Sequence, residues 1–91
     1  MITLGGNITL DGFDELDPGQ LIVVKKMVGL FAKKVQDNQG SLDGFDVKRD
    51  NETVTVKAVC QDKTFEDSAT DKNLFVALSN ALKSVEDKSK Q

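Results

Sequence analysis

The chain has 91 residues, 38% hydrophobic and 30% charged, with a formal net charge of −3. That length holds one hydrophobic core rather than two, and the composition is too apolar for an intrinsically disordered chain. No apolar run reaches the roughly 18 residues of a membrane span, the opening residues lack the layout of a secretory signal, and the single Cys60 excludes an internal disulfide; the expectation is a cytoplasmic protein with no membrane contact.

Ile2, Leu4, Ile8 and Leu10 all fall on even positions, interrupted by Gly5-Gly6. That alternation predicts one half-buried strand with a bulge or kink at the glycines. Asp17-Pro18-Gly19-Gln20 then offers a capping acid, a proline at the first helical position and a glutamine that reaches back to the cap. A helix therefore starts here. Leu21, Val24, Val28, Phe31 and Val35 make its apolar stripe, and Gly40 in Asp37-Asn38-Gln39-Gly40 is the expected stop.

Phe45 and Val47 mark a short second strand, Asp50-Asn51-Glu52 a turn, and Val54, Val56, Ala58 and Cys60 a third strand pairing with the second as a hairpin. Gln61-Asp62-Lys63 reads as another turn and Thr64 through Ser68 as a fourth strand with Phe65 inward. From a cap at Thr70 or Asp71, a second helix is expected to run to about Asp87, with Leu74, Leu78, Ala81 and Val85 as its core stripe. The expected fold class is α+β: a two-layer sandwich in the order β-α-β-β-β-α, with both helices on one face of a four-stranded, mostly antiparallel sheet. Residues 1–87 would form this single domain, and residues 88–91 a flexible tail containing Lys88 and Lys90.

The chain has no histidine, so it lacks the usual general base near neutral pH and the commonest metal ligand. Cys60 lies on the inward parity of its strand with no histidine to activate it, and reads as a small buried residue rather than a nucleophile. Gly5-Gly6 belongs to no phosphate-binding pattern. Asp14, Glu15 and Asp17 do not follow the calcium-loop spacing and suit the positive end of the first helix. Nothing points to an enzyme, a cofactor, a metal or a small-molecule substrate.

The informative cluster is basic. Pro18 through Gln36 carries Lys25, Lys26, Lys33 and Lys34 and no acid, inside an acidic protein. One reading is a solvated helix face. The other is a binding surface, because Ile22, Val23 and Leu30 lie beside these lysines and away from the core stripe, a combination that suits a polyanion or a protein partner.

Several segments resemble the ribosome hibernation-promoting factors, the protein Y family. The strongest likeness lies in Thr53-Val54-Thr55-Val56-Lys57-Ala58-Val59, Lys63-Thr64-Phe65, and the helix from Asn73 through Glu86; Asn7-Ile8-Thr9-Leu10, Val24-Lys25-Lys26 and Lys33-Lys34 are similar too. The likeness spans nearly the whole chain, which departs from the pattern in its acidic balance, its single arginine and its Asp-Pro-Gly-Gln helix start. It implies a fold related to double-stranded-RNA-binding domains and contact with RNA of the small ribosomal subunit through Lys25, Lys26, Lys33, Lys34, Lys83, Lys88 and Lys90. The alternative expectation is a protein-interaction or homodimerisation module using Ile22, Val23 and Leu30.

Overall fold

The computed structural model describes residues 2–4, 7–61 and 63–90. In chain order it contains β1 (Ile2–Leu4), β2 (Ile8–Asp11), α1 (Pro18–Gln39), β3 (Gly44–Asp50), β4 (Thr53–Cys60), β5 (Lys63–Thr70) and α2 (Leu74–Lys88). The strands lie in one sheet in sequence order, antiparallel throughout except where β2 runs parallel to β3. The fold is α+β, as expected, but the sheet has five strands rather than four.

The difference arises at the start of the chain. Residues 2–4 and 8–11 do not form one kinked strand; they fold back on each other, with Ile2 opposite Leu10 and Leu4 opposite Ile8. Both arrangements keep the even residues on one face, since cross-strand partners share a face just as alternate residues of one strand do. The kink assigned to Gly5-Gly6 lies outside the described residues, as does Asp62 of the turn expected at Gln61-Asp62-Lys63.

α1 is built as its sequence dictates. Asp17 Oδ1 accepts the Gln20 backbone N–H at 2.8 Å, and the Gln20 side chain accepts the Asp17 N–H in return at 3.4 Å. At the far end Gly40 adopts φ 80°, a left-handed conformation that glycine enters without strain, and donates its N–H to Gln36 O. Twenty-two residues at about 1.5 Å each give roughly 33 Å, so α1 spans nearly the full 34 Å length of the molecule. The cap of α2 is Asn73, not Thr70 or Asp71: its side chain accepts the Phe75 N–H, while Asp71 accepts the N–H of Asn73. Asp71 is thus a turn-forming acid two residues before the cap.

The cross-strand register places Ile2, Leu10, Val47, Val56 and Asp67 in one row and Leu4, Ile8, Phe45, Ala58 and Phe65 in the next. Their apolar members share one core with Val24, Val28, Ala32 and Val35 of α1 and Ala77, Leu78, Ala81, Leu82 and Val85 of α2, so both helices cover this face. Phe31 and Leu74 pack at its margin, partly buried, whereas Phe13, in the loop after β2, is fully buried. The opposite face carries Asp46, Lys48, Lys57, Glu66 and Ser68, all exposed. Between β2 and α1, Gly12 has φ 84°, and a Cβ there would lie 2.2 Å from Arg49 O, so this position admits no larger residue without a backbone shift.

The two helix C-termini meet. Asn38 donates to the Ser89 hydroxyl at 2.9 Å, the Gln39 side chain donates to Ser89 O, and the Ser89 hydroxyl donates to Glu86 O at 2.6 Å. Ser89 is fully buried, so the chain is held against the fold through residue 89.

Candidate nucleic-acid interface

Burial of Val24, Val28, Ala32 and Val35 fixes which way α1 faces, and at about 100° per residue the remaining positions follow. Lys26, Lys33 and Lys34 are exposed and Lys25 is half-buried. Among the described residues none of the four forms an ion pair. α1 runs past Gln36 and takes in Asp37, four residues beyond Lys33, yet the two do not pair. Lys34 Nζ instead stands 4.9 Å from the Phe31 ring centroid, a cation–π contact on a ring that the core only partly covers. The structure therefore gathers four cations on one rigid helix, with no partner carboxylate among the described residues.

Apolar side chains sit among them. Ile22 is 52% exposed, Val23 45% and Leu30 54%. Val76 on α2, not anticipated from the sequence, is 41% exposed. Helical spacing was the signal that could have found it: at about 100° per residue Val76 lies nearly opposite the Leu74, Leu78, Ala81 and Val85 stripe.

The remaining candidate lysines behave differently from one another. Lys83 is exposed on α2. Lys88 turns back to β5, donating to Glu66 O at 2.9 Å and lying 3.4 Å from Asp67 Oδ2. Lys90 pairs with Glu86 at 3.2 Å and Asp87 at 3.8 Å. Both belong to internal ion pairs, which an incoming phosphate must displace. Asp67 also accepts the Ser84 hydroxyl and the Ser68 N–H, the latter at 2.8 Å. The Ser84 bond, followed by the Ser68 bond and the nearby Lys88, holds its carboxyl below the usual aspartate range.

A polar cleft of about 390 Å³, which no local sequence pattern signals, is lined by Asp11, Gly12, Asp14, Glu15, Arg49, Asp50 and Asn51. Arg49, the sole arginine, reaches Gly12 O at 3.4 Å through Nη1. Among the described residues no group of three or more acidic or sulfur side chains is arranged to hold a metal ion. No helix among them is long and apolar enough to cross a membrane. Cys60 is 3% exposed at the end of β4, and burial, with Asp43 adding to it, raises its thiol pKa.

Among solved structures the chain is similar to the protein Y N-terminal domain of Thermus thermophilus, with a TM-score of 0.66 over 93% of this chain and 97% of that one. The two share a fold. Sequence identity across the match is 14%, so the likeness rests on the order and packing of elements rather than on a common set of side chains. No protein-family model matches the sequence, and no curated protein does.

Proposed function

We propose that this domain is a non-catalytic binding module that engages structured RNA of the small ribosomal subunit, in the cytoplasm, through the outer face of α1. The observation that carries this reading is the set of four α1 lysines that have no ion-pair partner among the described residues, on a helix held rigid by its caps and its buried stripe. Unpaired cations on a fixed scaffold neutralise phosphates with little loss of side-chain pairing elsewhere. The shared fold with the protein Y domain, together with the family likeness in the sequence, supports the ribosome as the source of that RNA. Lys83 adds an exposed cation on α2, whereas Lys88 and Lys90 contribute only by giving up internal pairs.

Co-sedimentation with small ribosomal subunits at several salt concentrations tests this. Four phosphate contacts predict a log–log salt slope of about −3.6. Reversing Lys26 and Lys33 to Glu should flatten that slope by about 2 and weaken binding while leaving the fold unchanged. A second reading is favoured by the exposure of Ile22, Val23 and Leu30: a homodimer or protein-binding face at the same helix. On that reading binding is insensitive to salt, and Leu30→Asp turns a dimer into a monomer by placing a charge in an apolar contact. A salt-insensitive dimer with no retention on ribosomal subunits would overturn the RNA reading in its favour.

A further inference from the structure

β5 is an edge strand of eight residues, paired only with β4. Such an edge presents unpaired backbone groups to any other strand. In an antiparallel ladder those groups belong to alternate residues. Here Glu66 O and Ser68 N–H both take partners outside the ladder, so the even residues Thr64, Glu66, Ser68 and Thr70 are the ones that face away from β4.

The middle of this edge is covered. Lys88 Nζ occupies Glu66 O, Asp67 Oδ1 occupies the Ser68 N–H, and Asp67 Oδ2 is tied to Lys88 and to the Ser84 hydroxyl on α2. Asp67 belongs to the inward-facing row of the sheet, opposite Val56, where an apolar residue would otherwise be expected. Its place is explained by what it does to the edge rather than to the core.

The strand is also self-complementary about that residue. If two copies of β5 paired antiparallel around a two-fold axis at Asp67, Thr64 would face Thr70, Phe65 would face Ala69 and Glu66 would face Ser68. The sole like-charge opposition would be Asp67 against Asp67, which disfavours the pair. We propose that Asp67, held by Ser84 and Lys88, is an edge cap that stops β5 from adding the β5 strand of a second copy of this chain. The inference rests on none of the α1 lysines, since it concerns the β5 edge, which packs against β4 and α2; of the RNA-contacting candidates it involves Lys88 alone.

The experiment is Asp67→Cys. This change removes the cap and places a thiol where the two strands would cross, at the closely spaced type of cross-strand pair, about 4.5 Å between Cα atoms, within disulfide reach. Under mild oxidation the variant should form a disulfide-linked dimer, and light scattering of Asp67→Ala should show a concentration-dependent dimer that the parent chain lacks. Thr64→Cys, which would face Thr70 rather than its own copy, should remain uncross-linked, which separates this register from random collision of thiols. Circular dichroism confirms that each variant is folded. If the Asp67 variants fail to fold, hydrogen exchange of the parent decides: the Ser68 amide should exchange more slowly than the outward amides of Thr64 and Thr70. A folded Asp67→Cys that stays monomeric and uncross-linked overturns the proposal, as does a Ser68 amide that exchanges as fast as those two.

Discussion

Cys60 ends β4 with its side chain turned into the core beside Val54, Val56 and Ala58. Parity alone foretold this: four even positions in a row that are all apolar leave one face for the cysteine. What parity could not supply is Asp43, which adds its charge to the effect of burial in keeping the thiol protonated. The expected consequence is slow labelling by thiol reagents until denaturant is added. A pH dependence follows too. Because the folded thiol is the weaker acid, the unfolded chain ionises first, so its stabilising share is intact below the ordinary thiol range and is lost as pH rises through that range. Urea midpoints at neutral and alkaline pH should therefore fall further for the parent than for Cys60→Ala. Stoichiometric labelling of the native chain within minutes would show that the burial is not maintained in solution. Lys88 and Lys90 show the opposite limit of residue-scale reading. Both are surface lysines by composition and position; only the fold shows that Lys88 is taken by Asp67, whereas Lys90 lies four residues beyond Glu86 and three beyond Asp87, a spacing the sequence itself displays.

At the scale of elements, α1 was the most legible, because its signals are local. Asp17, Pro18 and Gln20 specify the start through contacts within four residues, and Gly40 specifies the stop through a conformation few other residues adopt. Replacing Asp17 by Ala removes the acceptor for the Gln20 N–H and should cost about 1 kcal/mol of stability, read as a lower urea midpoint with an unchanged slope. A change below a few tenths of a kcal/mol would mean that the box seen at 2.8 Å and 3.4 Å contributes nothing measurable. The N-terminal hairpin carries a sequence signal of its own, although the even-position alternation alone points to a single kinked strand. Ile-Thr-Leu occurs at residues 2–4 and again at 8–10, separated by Gly-Gly-Asn, and a repeated strand around a glycine pair is a hairpin signal as much as a kink. The cap of α2 was displaced because Asp71 and Asn73 are both good capping residues, and the choice between them depends on the Asp71 N–H bonding to Glu52 O across the β3–β4 turn. No local pattern carries that contact. The α1 lysine face was readable from helical spacing, since exposed and buried positions on a long amphipathic helix are set by one angle. The cleft around Arg49 was not, because Asp11, Glu15 and Asp50 come together only when β2 pairs with β3.

At the scale of the whole molecule, the sheet contains one pairing unlike the rest: β2 meets β3 in parallel, with all of α1 intervening along the chain. Joining those strands closes a long loop, whereas β3 to β4 and β4 to β5 are joined across turns of a few residues. Loop-closure entropy grows with the logarithm of loop length, and non-local pairings form late for that reason. The feature thus sets a chronology. β3, β4, β5 and α2 have short-range partners and form the early unit, while the β1–β2 hairpin arrives last and, by reversibility, detaches first. Native-state hydrogen exchange should rank the amides accordingly, with β4 protected up to the global unfolding free energy and β2 opening at a lower one. Equal protection of β2 and β4 would mean that the sheet opens as a single unit, and that the parallel joint is no weaker than the turns beside it.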